Sequence, residues 1–152
     1  MTVAKIYCRS ETEAQDILQE AYVRVFKKID SFIGYQEAAF YGWLKRIVIN
    51  LALSRGQKKY KSMEQSLETT FVDKNIEPEV LSNLNHDEIM GLVFNLPDGY
   101  RQVFALFAIE GYSHKEVAER LNIGESSSRS QFLRARKLLQ KQIKNLYKVM
   151  TA

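Results

Sequence analysis

The chain has 152 residues, 45% of them apolar and 26% charged, with a formal net charge of +4, enough to bury a core as one domain or as two small ones. Its single cysteine, Cys8, excludes an internal disulfide, and with only His86 and His114 there is no Cys/His cluster at metal-ligand spacing, so neither a metal nor another cofactor is expected. The longest apolar run, Ile47 to Leu53, is broken by Asn50 and too short to span a bilayer; with no signal peptide evident, the cytoplasm is the expected compartment.

Met1 to Ser10 reads as the closing turns of a helix, with Cys8 in it as a small apolar residue. Ala14, Ile17, Leu18, Ala21, Tyr22, Val25 and Phe26 fall at i, i+3, i+4, i+7, i+8, i+11 and i+12, which predicts an amphipathic helix ending near Asp30. Glu11, Glu13, Asp16 and Glu20 make it acidic. Ser31 to Ala38, with Gly34, reads as a loop. Phe40, Trp43, Leu44, Ile47, Val48 and Leu51 then mark a second long helix running towards Arg55 and packing on the first. Lys45, Arg46, Arg55, Lys58, Lys59 and Lys61 form a cationic run with no intervening acid. From Lys58 to about Leu84 the apolar periodicity fades, Pro78 intervenes and polar residues dominate, and the middle, from Glu64 to Glu88, is mainly acidic. The expected organisation is therefore a first domain over 1–58, a linker over 59–84 and a second domain over 85–150. Asn85 to Leu96 is the first helix of that second domain, stopped by Pro97.

The stretch from Leu96 to Leu139 carries the most specific pattern. Val103, Leu106, Phe107 and Ile109 predict a support helix ending at Gly111, which can adopt the left-handed conformation a helix stop favours. Ser113 followed three residues later by Glu116 has the pattern of a capping box, so a new helix starts there. Its inward positions are Val117, Ala118 and Leu121, and the small Ala118 lets a following helix cross closely. Asn122-Ile123-Gly124 makes the turn, after which Ser126, Ser127 and Ser128 are N-cap candidates. Phe132, Leu133, Ala135, Leu138 and Leu139 then supply an apolar face, and Arg129, Gln131, Arg134 and Arg136 a polar one. A helix-turn-helix with a basic second helix suits the major groove of DNA. The closing tract Arg134, Arg136, Lys137, Lys141, Lys144 and Lys148 extends that positive charge. Two cationic stretches joined by an acidic connector suggest two contacts on one polyanion.

These residues carry a resemblance. Leu96-Pro97, Arg101, Glu110-Gly111, Val117-Ala118, Arg134-Ala135-Arg136 and Leu139 resemble region 4 of the extracytoplasmic-function (ECF) group of bacterial sigma-70-type transcription initiation factors. The run from Glu13 to Tyr22, Asp30-Ser31-Phe32, the run from Ala39 to Ile47, Asn50 and Ala52 are similar to region 2 of the same factors. The resemblance implies an all-α fold of two small helical domains, a region 2 bundle and a region 4 helix-turn-helix, joined by a linker. It implies a factor that directs core RNA polymerase to promoters and initiates transcription, with the polymerase supplying the chemistry.

It also implies site residues. Asp16, Gln19, Glu20, Val23 and Arg24 would dock on the polymerase core. Tyr35, Gln36, Phe40, Tyr41, Lys45, Arg46 and Asn50 would read the minus-ten promoter element, where unstacked bases need aromatic and hydrogen-bonding partners; Phe40 and Trp43 lie on the apolar stripe and are assigned first to the core. Lys115, Ser127, Arg129, Ser130, Gln131, Leu133 and Arg134 would face the minus-35 element, Arg suiting guanine and Gln adenine, with Lys115 and Arg101 as phosphate contacts. His114 is expected at the surface after the cap. Ser126 and Ser128 stand where the family has a glycine and an apolar residue. Region 2 normally has a whole helix ahead of Asp16-Ile17-Leu18-Gln19-Glu20, so the first domain is expected to be underpacked around Met1 to Ser10. The implied partners are promoter DNA, core RNA polymerase and an anti-sigma protein, with no small-molecule substrate.

Three rivals are weaker. A stand-alone helix-turn-helix regulator leaves the motifs of the first half unexplained. A truncated decoy would bind polymerase without opening a promoter. An enzyme would need paired catalytic carboxylates, a nucleophile-base pattern or a phosphate-cradling glycine loop, and the sequence offers none of these.

Overall fold

The computed structural model describes residues 2–34, 36–60 and 85–150; among them there are helices and turns but no strand. The chain divides into two compact units. Tyr35 and the expected linker over 61–84 lie outside the described residues.

In the first unit, helices α1 (Thr2–Tyr7), α2 (Glu11–Lys28) and α3 (Glu37–Tyr60) pack on one another, and a 3-10 turn, Ile29–Ser31, closes α2. Helix α2 starts at Glu11 because Ser10 Oγ accepts from the Glu13 amide at 3.1 Å while the Glu13 carboxylate accepts from the Arg9 amide at 2.9 Å. Its buried stripe is Ala14, Ile17, Ala21 and Val25. The expected stripe is wider, and the structure corrects it: Tyr22 is 57% and Phe26 77% exposed. Helices α1 and α3 both lie against α2, and the row of Leu18, Tyr22 and Phe26 falls at the edge of what they cover. There Val3 and Ala4 of the short α1 line a cleft with Leu18, Tyr22, Tyr41 and Lys45. Around Met1 to Ser10 the described residues Ala4, Ile6, Tyr7 and Cys8 are buried beside that cleft. Cys8 lies just past the end of α1 rather than in it.

Helix α3 buries Val48, Ile49, Leu51, Ala52 and Leu53. These point in several directions round the helix because both α1 and α2 lie against it. Ile49 and Leu53 thus enter the core without belonging to the stripe that periodicity marks, each worth about 1.5–3 kcal/mol of burial.

The second unit comprises α4 (His86–Phe94), α5 (Asp98–Phe104) continuing into a π turn (Ala105–Ile109), α6 (His114–Leu121) and α7 (Glu125–Met150). Asn85 and Glu88 form a capping box at α4: Asn85 Oδ1 accepts from the Glu88 amide at 2.9 Å and Glu88 accepts from the Asn85 amide at 2.8 Å. Val93, Leu96, Ala135 and Leu139 form the core, with Leu92, Tyr100, Phe104 and Leu138 around them. The support helix ends on a wide turn, the Glu110 amide donating to the Ala105 carbonyl at 2.9 Å, and Gly111 follows with φ +78. The extra residue in that turn swings Ile109 outward, leaving it 41% exposed where periodicity places it inside.

Candidate nucleic-acid interface

The turn between α6 and α7 sets the geometry of the helix-turn-helix. Ser113 Oγ accepts from the Glu116 amide at 3.3 Å, and the Glu116 carboxylate accepts from the Ser113 amide and hydroxyl, each at 2.8 Å. These bonds hold the fully exposed Glu116 carboxyl below its ordinary range. Asn122 takes the left-handed conformation, φ 54, that ends α6. The Ser128 amide donates to the Gly124 carbonyl at 3.0 Å, so Gly124 occupies the cap position of α7. The three serines expected as caps therefore lie inside its first turn, and Ser128 is wholly buried.

Along α7, Ser127, Ser130, Gln131 and Arg134 recur at i, i+3, i+4 and i+7 on one face. Ser130 is exposed, and Ser127, Gln131 and Arg134 are half-buried; the Ser130 hydroxyl donates to the Ser127 carbonyl at 3.0 Å. Arg129 and the 47%-exposed Leu133 form the adjoining row. The Arg129 guanidinium donates to Glu125 at 2.6 Å. At such an exposed pair the interaction is worth about 0.5 kcal/mol, so an incoming base or phosphate can displace Glu125. Lys115 is exposed in the first turn of α6.

Two expectations fail here. Arg101 is not a phosphate contact: it is 7% exposed, its guanidinium donates to the Phe94 and Leu96 carbonyls at 3.1 Å each, and it pairs with Asp98 at 2.7 Å. It caps the end of α4 across the break that Pro97 imposes. His114 is not a surface residue either. Its ring stacks on Phe107 at 4.1 Å between centroids, meets Phe132 edge-on at 5.7 Å, and places Nδ1 2.9 Å from Ser128 Oγ. The Asp98-to-Arg101 spacing is a visible signal for the first contact; nothing local signals the second, whose partners are fourteen residues apart.

In the first unit the candidates for the minus-ten element separate. Gln36, Phe40, Arg46 and Asn50 lie on the outward side of α3, together with Trp43. Tyr41, 64% exposed, and the half-buried Lys45 lie instead on the side that lines the cleft with Tyr22. The Gln36 carbonyl accepts from the amides of Ala39 and Phe40 at the start of α3. Phe40 and Trp43 belong to a surface aromatic cluster rather than to the core: Phe32, Phe40 and Trp43 stand 5.3–5.8 Å apart, each half-buried by the others. Phe32, which the sequence marks in the Asp30-Ser31-Phe32 motif but not among the contact residues, is the third member. Its ring covers Gly34, where an added Cβ would fall 2.5 Å from Phe32 Cζ.

On α2, by contrast, the candidates converge. Asp16, Gln19, Glu20, Val23 and Arg24 lie outside the buried stripe, with Val23 53% exposed and Glu20 and Arg24 at its margin. Glu20 is also committed within the fold, one carboxylate oxygen 2.7 Å from Arg55 on α3 and the other 2.7 Å from Arg24. The Arg55 bond, then that of Arg24, holds its carboxyl below the ordinary carboxylate range.

Comparison with known proteins agrees with this geometry. Residues 1–61 match sigma-70 region 2, and residues 86–139 match sigma-70 region 4. The chain is 28% identical over 149 residues to the ECF RNA polymerase sigma-E factor of Haemophilus influenzae, covering 90% of this chain and 78% of that protein. Among solved structures, the sigma factor RpoE of Bartonella quintana, in complex with the anti-sigma factor NepR, shares the fold at a TM-score of 0.54 and 22% identity, over 93% of this chain and 88% of that one. The ECF RNA polymerase sigma factor SigW of Bacillus subtilis is 34% identical over 146 residues, 88% of this chain and 77% of its own length. With both regions matched in order and that degree of identity, the chain belongs to the ECF RNA polymerase sigma factors.

Proposed function

We propose that this sigma factor divides promoter recognition between its two units: α7 reads the minus-35 element, the outward side of α3 reads the minus-ten element, and the exposed face of α2 docks on core RNA polymerase. The observation that carries the reading is the face of α7 formed by Ser127, Ser130, Gln131 and Arg134, on a helix with no acidic residue after Glu125. Arg134 and Gln131 supply the bidentate donors that guanine and adenine require, while the serines and the first-turn amides suit phosphates. At the minus-ten element, the Phe32, Phe40 and Trp43 cluster supports Gln36, Arg46 and Asn50 as base and backbone contacts, with Tyr41 and Lys45 on its flank.

The domain boundaries that fit this division are 1–58 and 85–150, with 59–84 linking them. The chain binds and positions; the polymerase catalyses. Among the described residues no helix is long and apolar enough to cross a membrane, and the reading places the factor in the cytoplasm with the polymerase. An anti-sigma protein, of the kind bound by the Bartonella factor, is the proposed regulator.

Run-off transcription with core polymerase tests the division. Arg134→Ala is expected to weaken minus-35 recognition by about 1–3 kcal/mol while core binding stays intact. Val23→Glu is expected to do the reverse. Loss of both properties in either variant refutes the division, and core binding without initiation by the unaltered chain leaves only the decoy reading.

A further inference from the structure

The contact between His114 and Ser128 plays no part in the division proposed above, and it sits at the joint of the helix-turn-helix. Ser128 is wholly buried on α7, where a hydroxyl needs a partner. The partner is His114 Nδ1, at 2.9 Å, supplied by the first residue of α6. The serine donates when the imidazole carries its proton on Nε2, and the ring donates when the proton is on Nδ1. The same imidazole stacks on Phe107 of the π turn and meets Phe132, one turn beyond Ser128 on α7. The ring thus fixes α7 against rotation about its own axis, with a polar contact at one residue and an aromatic contact four residues later. The fixed residues interleave with Ser127, Arg129, Ser130 and Gln131. A rotation of about 20° would move side chains on a helix of about 6 Å radius by about 2 Å, enough to break a bidentate contact.

The surroundings favour a neutral ring. Burial, then the Arg129 charge, pushes the His114 pKa down, and Glu125 opposes them. Those two residues are the charged groups that bear on the ring from α7, while the π turn, Ala105–Ile109, carries no titratable side chain. On α6 itself the neighbours are Lys115 and Glu116, and the ring sits at the positive end of that helix.

We propose that His114 and Ser128 are positioning residues for promoter recognition: the neutral imidazole latches α7 at the rotation that presents Arg129, Gln131 and Arg134 to the minus-35 bases, and a second ring proton loosens the latch. The inference rests on the assignment of α7 as the minus-35 reader. With the neutral ring's proton on Nε2, a second proton at Nδ1 removes the acceptor there, turns the buried serine from donor to acceptor and puts a cation beside Arg129.

The test is run-off transcription by the full chain with core polymerase, on promoters with an intact or a scrambled minus-35 element, from pH 8 to pH 5.5. The ratio of the two transcript yields is the readout. The unaltered chain is expected to lose discrimination towards the acid end of that range, below the ordinary histidine value, because the surroundings hold the ring's pKa down. Ser128→Ala is expected to lower the ratio about 3- to 10-fold at pH 8. His114→Gln, which keeps a hydrogen-bonding group without a titrating one, is expected to restore most of it and to flatten the pH profile. Thermal melts and core binding establish that each variant is folded, and Ser128→Thr, which retains the hydroxyl, serves if the alanine variant is not. His86 is present throughout, so an acid loss that persists in His114→Gln overturns the proposal, as does full discrimination in a folded Ser128→Ala. Equal yields from the two promoters with the unaltered chain at pH 8 would instead overturn the assignment of α7, and the latch with it.

Discussion

The two units are held together by different physics. In the first, α3 is wrapped by α1 and α2, its interior is mainly aliphatic with Tyr7 and Cys8 buried in it, and its ion pairs, such as Arg55 with Glu20, lie at the surface. In the second, short helices meet at steep turns, and buried polar groups fix the joints: Arg101 closes α4, and His114 meets Ser128 between α6 and α7. Aliphatic contacts resist separation of helices but are indifferent to small rotations. Directional bonds specify an angle. Under the proposed division, a unit that reads base edges needs a fixed angle, whereas a docking face on a single helix such as α2 needs only that the helix be formed.

That contrast can be broken experimentally. The largest effect is expected from Leu51→Ala, where a 1%-exposed side chain lies between two helices. The loss should be about 2–5 kcal/mol. Trp43 is the only tryptophan and belongs to the first unit, so its fluorescence in urea reports that unit alone. Hydrogen exchange of the α7 amides should be unchanged in this variant. If α7 loses protection as well, the units are not energetically independent.

Arg101→Met should act the other way round. It leaves the Phe94 and Leu96 carbonyls and the Asp98 carboxylate without their buried donor, costing about 2–3 kcal/mol in the second unit, with no shift in the Trp43 transition. Because the guanidinium faces the protein interior, the salt dependence of DNA binding should keep its slope. A reduced slope in a folded variant would return Arg101 to the DNA.

The smallest effect is expected at the surface pair. With its folded pKa lowered, Glu20 contributes stability that is fully present above its ordinary value of 4.5 and is lost as the pH falls through the folded value. Glu20→Gln should therefore flatten the acid side of the first unit's stability profile and change little at neutral pH. An unchanged acid slope would show that the Arg55 pair carries no net stabilisation.

Where the residues responsible for a feature lie within a few positions of one another, sequence reading was reliable. The cap at Ser113 and the stops at Gly111 and Asn122 follow from helical period and short-range hydrogen bonding. Where burial depends on a neighbour, it was not. Tyr22 and Phe26 continue the apolar period of α2 yet stand exposed, because they lie at the edge of what α1 and α3 cover. Trp43 satisfies the period of α3 yet joins Phe32 and Phe40 at the surface.

Membership of the sigma family, the all-α class and the presence of a helix-turn-helix were thus legible in the sequence alone, since capping residues and apolar period act over one or two turns of chain. Tertiary structure decided the roles of Arg101, His114 and Ser128. Each is a polar residue whose fate depends on whether an acceptor from another helix reaches it before water does, and that is settled by how the helices pack.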